Sequence, residues 1–388
     1  MISRAATRDL PRRETESTET AETAEIVPSR PGDETTAEQA PRPVPISGYV
    51  VRRARFSVRL DVRSLVVCAT LALLIVMVGV WSISVGDFPI PISDVIATIF
   101  GNPTDDSEFI VGTLRLPRVL VGVGVGAAFG MSGAIFQSLV RNPLASPDII
   151  GFNGGAALGA VVMIVYTDAT ALDVSIGAVA GGLVAALAVY FLAWKRGVQP
   201  FRLVLVGIGA GFAITAMIDF AITRAEITDV QRAAVWLTGS LNGRGWDEVR
   251  IVAVALLVLG PLAVALQRTL DRLDLGDDTA ASLGVGVGRA KLSLVVVGVG
   301  LAALGVAAAG PVAFVAFVAG PIARRLVDSP RACVVPAAFV GALVTVVADL
   351  AARRLLAPTE LPVGIMTALI GAPYLLWLLT RQARTGAL

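Results

Sequence analysis

The residues that could carry chemistry are few and poorly placed for it. The 388-residue chain has no histidine, which removes the commonest general base and metal ligand. Its cysteines, Cys68 and Cys333, each lie inside an apolar run, without metal-ligand spacing and with no reason to pair. Asp219 and Asp349 are the only carboxylates well inside apolar stretches, both near span ends, so the paired groups of an intramembrane protease or lipid transferase are missing. Lysine occurs only as Lys195, after Trp194, and Lys291, after Ala290, and neither stands in the Gly-Lys-Ser/Thr context of a phosphate-binding loop. The glycine strings Gly122–Gly126, Gly207–Gly211 and Gly284–Gly288 lack the full spacing of a dinucleotide turn. The expectation is a chain that breaks no bonds and holds no metal, cofactor or nucleotide of its own.

Composition turns from chemistry to solvent. Hydrophobic residues make up 55% of the chain and charged residues 16%, and mean hydropathy is +0.76, more apolar surface than a soluble domain of this length could hide. A net charge of +2 gives no concentrated basic face for nucleic acid, so membrane lipid is the expected surrounding. Residues 1–55 are polar and read as a disordered cytoplasmic extension, and 56–388 as the transmembrane domain. MISRAATRDLPRR lacks the apolar core of a secretory signal. Hydropathy suggests an all-α fold of ten spans: 64–84, 118–140, 150–166, 174–194, 203–223, 250–267, 291–309, 311–324, 332–352 and 362–380. Arg52, Arg53, Arg55, Arg59 and Arg63 precede the first, and cations recur in alternate loops, which puts both termini in the cytoplasm. Between spans five and six, AEITDVQRAAVWLTGSLNGRGWDEVR is too polar to cross and reads as an interfacial helix and hairpin flanked by Trp236 and Trp246.

The organising stretch is Leu114–Ala160. Arg115 and Arg118 stand at its lip, Gly122, Gly126 and Gly130 form a small-residue stripe for close helix packing, and the run breaks at Arg141-Asn142-Pro143. LRLPR followed by SGxxxQxxxxNPLAxPxxxG, here with Ser132, Gly133, Gln137, Asn142, Pro143, Leu144, Ala145, Pro147 and Gly151, resembles permease subunits of type II ABC importers, the iron-siderophore, haem and cobalamin class. WLTGSLNGRGW resembles the matching segment of ferric-siderophore permeases. The closing block, with Glu360, Leu361, Pro362, Val363, Gly364, Thr367, Gly371, Ala372 and Pro373, is similar to the same class. Gly320-Pro321 stands where many members carry Pro-His, and that segment looks most like the second permease of ferric-enterobactin importers.

The resemblance covers about residues 60–380 and implies a cobalamin-permease-like fold, a bacterial cytoplasmic-membrane location and a set of partners. Those are a second permease, with a paralogue favoured and a copy of this chain left open; two ATPase subunits that bind the ATP and magnesium; and a solute-binding lipoprotein or periplasmic protein. It further implies that Leu275, Gly276, Asp277, Ala280, Leu283 and Gly284, in the cytoplasmic loop 268–290, couple to the ATPase. The heart of that loop, Leu275–Gly284, reads as two short helices joined at a glycine. Arg115, Arg118 and Arg353 are implied to meet acidic residues of the binding protein, although Asp349 and Arg353, four apart, also suit a local helix pair. Gln137, Asn142 and Pro143 are expected to serve the path or its packing. Gly207, Gly209 and Gly211 are expected to thin the wall of the fifth span along that path. The solute expected is a ferric siderophore, with haem and cobalamin open. A secondary transporter is the competing class and would want coupling carboxylates or broken helices near the bilayer midplane, where no charge is found.

Overall fold

The structure, a computed structural model, describes residues 49–53, 56–104, 107–143, 145–147, 151–194 and 200–384. Of the extension expected to be disordered over residues 1–55, residues 1–48, 54 and 55 lie outside the described residues, whereas Tyr49–Arg53 forms a strand. A two-stranded antiparallel hairpin, β1 (Tyr49–Arg53) and β2 (Phe56–Leu60), leads into α1 (Val62–Ser84), whose first turn is capped by Asp61.

The remaining helices are α2 (Ile92–Ile99), α3 (Leu116–Val140), α4 (Phe152–Tyr166), α5 (Ala171–Ala193), α6 (Pro200–Thr223), α7 (Ile227–Leu237) and α8 (Trp246–Leu273). They are followed by α9 (Asp277–Ser282), α10 (Val287–Ala309), α11 (Val315–Val327), α12 (Val334–Arg354) and α13 (Val363–Arg384). Each of the ten expected spans has its helix. Seven are long and apolar enough to cross a membrane, and α4 and the apolar part of α13 are shorter apolar helices. The 13-residue α11 rises about 20 Å, short of a hydrocarbon core of about 30 Å. The backbone ahead of it is irregular and turns through Phe314 at φ 65°, with Val312 buried, so protein rather than lipid surrounds that stretch.

Helix α3 is the hub. It is entered through a π-helical turn, Glu108–Arg115, and 83% of its apolar window is buried. Around it pack α12, α10, α11 and α8. Gly126 and Gly130 face the carbonyls of Gly341 and Ala337 on α12 so closely that a methyl group on either would overlap them. Gly122 faces looser company, the side chains of Leu241 and Val346. A second tight pair, α4 with α5, uses Gly155 and Gly159 against Gly177 and Gly181. By contrast only 11% of the α6 window is buried, which leaves Leu205, Ile208, Phe212, Met217 and Phe220 bare.

One more local expectation changes, and the first connector carries a helix, Ile92–Ile99, with Asp94 in its first turn and Val95 buried. The expected pair of short helices within Leu275–Gly284 is a single short helix, α9, between glycine joints at Gly276 (φ 109°) and Gly284 (φ 81°). Ahead of it, α8 runs on to Leu273.

Candidate functional site

The arginines singled out from sequence lie together at one end of the bundle. Arg118 follows Pro117 on α3, in helix that runs on without a break from the π-helical entry. Two carboxylates hold its charge. The Arg118 Nε and Nη2 donate to Asp349 Oδ1 at 3.1 and 3.0 Å, and Nη1 donates to Glu360 Oε2 at 3.1 Å. Asp349 Oδ2 accepts from Arg353 Nε at 3.2 Å, one helical turn on, and Arg353 Nη2 also donates to the backbone oxygen and hydroxyl of Ser82 on α1. The Asp349 side chain is 4% exposed and Arg353 9%, so their charges are held by one another. Arg115 donates from Nη1 to Ile83 O at 2.7 Å and from Nη2 to Phe88 O at 2.8 Å, which satisfies backbone oxygens around the end of α1. Gly86 leaves room for that guanidinium, since a methyl group there would overlap it.

Beside this cluster opens a cavity of about 870 Å³. Its walls include Ile164, Ser175, Arg232, Trp236, Arg244 and the connector Glu360–Pro362. The expected helix and hairpin of residues 225–250 form its rim: α7 is present, Trp236 lines the cavity, and Trp246 Nε1 donates to Gly112 O at 2.9 Å. The hairpin is fastened by Ser240 N to Ala309 O at 2.8 Å and by Gly364 N to Gly239 O at 3.2 Å.

Deep in the bundle, Gln137 is 2% exposed and acts as a clamp. Its Nε2 donates to Phe317 O at 2.9 Å, and its Oε1 accepts from Arg324 Nη2 at 3.2 Å. Gly320 admits that amide, because any side chain there would overlap Oε1. The helix then ends at Arg141 in a left-handed turn (φ 54°), with Asn142 N bonded back to Gln137 O at 3.0 Å and Pro143 following. On α6, Gly207 is buried, while Gly209 and Gly211 have open space where a side chain would be.

The opposite end carries the 268–290 segment. Asp277 at the start of α9 pairs with Lys291 Nζ at 2.6 Å and Arg141 Nη2 at 3.2 Å, and Arg141 also donates to Leu273 O at 2.6 Å. Those bonds fasten α9 to α10 and to the end of α3. Ala280 is fully buried beneath it, whereas Leu275, Leu283 and Gly284 are exposed. Burial and the neighbouring Asp271 carboxylate hold the Asp274 carboxyl above its ordinary value, against the opposing pull of Arg141 and Arg324. Among the described residues no group of three or more Cys, Asp or Glu is arranged to hold a metal.

Known proteins with this arrangement decide the family. The FecCD transport family matches residues 73–381. This chain belongs to that family.

Among this FecCD chain's relatives is the ferric enterobactin transport system permease protein FepG of Escherichia coli K12, 39% identical over 322 residues that cover 83% of this chain and 98% of FepG. The achromobactin transport system permease protein CbrC of Dickeya dadantii is 38% identical over 336 residues, 86% of this chain and 96% of CbrC. A solved inward-facing conformation of a metal-chelate type ABC transporter superposes with a TM-score of 0.73 at 25% identity, covering 82% of this chain and 99% of that one. The all-α, multi-pass membrane fold expected from the sequence is thus the fold of this family.

Several residues of the site escaped sequence reasoning. Glu360 was read only as part of a motif, and its bond to Arg118 spans 242 positions. Arg354 was passed over beside Arg353, yet it is the exposed member of the two. Arg324 showed no signal beyond its place after Gly320-Pro321.

Proposed function

We propose that this FecCD chain is a permease subunit of an ABC importer that moves ferric siderophores across the cytoplasmic membrane of a bacterium. The observation that carries this reading is near full-length similarity to FepG and CbrC, whose names specify ferric enterobactin and achromobactin transport. In this reading the chain pairs with a paralogous permease, and the bare α6 face, with Gly207, Gly209 and Gly211, lines the path between the two. ATP and magnesium are bound by two separate ATPase subunits that dock on Leu275, Gly276, Asp277, Ala280, Leu283 and Gly284. Of these, exposed Leu275, Leu283 and Gly284 make the contact, while Asp277 and buried Ala280 hold α9 to the bundle.

The Asp277 end and both termini then face the cytoplasm, and the Glu360 end with its cavity faces outward toward a solute-binding protein that meets Arg115, Arg118 and Arg353. Closure of the ATPases pulls α9, and the ion pairs of Asp277 pass that displacement to α3 and α10. The Gln137 clamp makes α11 move with α3. Rigid helices with two packings transmit such a shift because a close-packed core does not deform smoothly. Deleting the gene and measuring uptake of radio-iron on siderophores, haem and labelled cobalamin tests the reading. Loss of ferric-siderophore uptake alone, restored by the gene, is expected; unchanged siderophore uptake overturns it.

A further inference from the structure

Arg118 has two carboxylate partners of unequal standing. Asp349 is 4% exposed, accepts two of its hydrogen bonds and is shared with Arg353. Glu360 is 41% exposed, accepts one hydrogen bond and sits on the connector between α12 and α13. A pair with so wet a member adds little, so an incoming carboxylate can replace Glu360 at small cost, whereas removing Asp349 would strand buried charge. The surroundings favour such a visitor: Arg115, Arg118, Arg353 and Arg354 converge here, against Asp87, Asp349 and Glu360.

Glu360 is also tied to the cavity. Glu360, Leu361 and Pro362 form part of its wall, Leu361 N donates to Ala352 O at 3.1 Å, and Gly364 N donates to Gly239 O at 3.2 Å. The connector is therefore a strap with Arg118 at one end and the cavity-rim hairpin at the other.

We infer that Glu360 is an internal stand-in for a carboxylate of the solute-binding protein: it occupies Arg118 in the free permease, and its displacement on docking releases the strap and opens the cavity. This rests on the docking reading above and adds to it an autoinhibitory contact. Docking and widening of the cavity become one exchange of ion pairs.

The test uses the complete importer in lipid nanodiscs, titrated with its solute-binding protein at low and high salt. Glu360→Gln keeps the shape and removes the competitor, so affinity at low salt rises by about threefold to fivefold. Nitroxide labels on exposed Thr359 and Thr228, across the rim, give a distance distribution that shifts when the wild type binds its partner. In the unliganded Glu360→Gln protein the distribution already lies toward that bound form. Unchanged or weaker affinity, or a rim distance indifferent to both partner and mutation, overturns the latch. Wild-type affinity indifferent to salt overturns the docking reading itself. Salt-sensitive docking with an inert Glu360→Gln overturns only the latch. Should Glu360→Gln fold poorly, Glu360→Asp withdraws the carboxylate by one methylene and must shift affinity the same way.

Discussion

Gly126 on α3 and Gly341 on α12 face one another reciprocally: a methyl group on either would overlap the carbonyl oxygen of the other. In a membrane, where lipid is as apolar as leucine, this closeness of backbones replaces the hydrophobic drive that packs soluble helices. Gly126→Ala is therefore expected to destabilise the detergent-solubilised protein by at least about 2 kcal/mol, since carbonyl oxygens cannot step aside as a side-chain tip can. Gly209→Ala on α6, with open space around it, should be neutral or slightly stabilising, because alanine has the better helix propensity. Paired melting curves check the contrast, and equal losses at both positions would contradict it.

Gly284 tests the α9 region with backbone and surface separated. Its φ of 81° is left-handed, which asparagine tolerates far better than other side chains, and nothing lies within 4 Å of an added side chain. Gly284→Asn should keep most uptake. Gly284→Arg should reach the membrane in normal amounts while uptake and transport-stimulated ATP hydrolysis fall together, tenfold or more by rough estimate, as expected of a bulky cation in a packed interface. Normal uptake by Gly284→Arg would remove the coupling role from this loop.

What could be read in the sequence was what depends on neighbours along the chain. Apolar runs gave the ten helices, and Arg141-Asn142-Pro143 gave the end of α3, because hydropathy and turn chemistry act locally. The Gly126 and Gly130 stripe was legible as well, being periodic, but nothing local says that its partners are Gly341 and Ala337. The charge cluster was only half visible. Asp349 with Arg353 is a helix-spacing pair, while Arg118 reaches Asp349 across 231 positions and is claimed by the fold. That burial alters how the arginines should be probed: Arg118→Glu would crowd a third carboxylate against Asp349 and Glu360 and damage folding itself. Helix α2 was missed because eight residues rich in isoleucine, between prolines and glycine, resemble an extended apolar linker.

Asp274, just beyond α8, carries a pH signature. Its carboxyl is held above the ordinary value chiefly by burial, so the folded chain binds that proton more tightly than the unfolded chain does. Its contribution to stability is therefore present at low pH and is lost as pH rises through the shifted value. Asp274→Asn removes a charge disfavoured by partial burial and by the Asp271 carboxylate, and should melt slightly later than wild type at about pH 8, with the difference closing toward about pH 4. An Asn variant that melts earlier at high pH would mean that the pull of Arg141 and Arg324 outweighs burial.

Orientation in the membrane can be read from two exposed positions, Asn102 in the connector after α2 and Ser282 in α9. Between them the chain passes through α3, α4, α5, α6 and α8, with α7 lying at the cavity rim. Five crossings are an odd number, so the two positions must lie on opposite faces. The cation bias puts Ser282 inside: Arg268, Arg272 and Arg289 flank it, whereas Asp87, Asp94 and Glu108 mark the connector of Asn102. With Cys68 and Cys333 replaced by serine, a cysteine at Asn102 should react with an impermeant thiol reagent on intact cells, and one at Ser282 should react only after the membrane is opened. Labelling of both from outside would break the count of crossings. Labelling of Ser282 alone would invert the subunit, putting the Arg118 cluster and its cavity on the side of the ATPases, where no solute-binding protein could reach them.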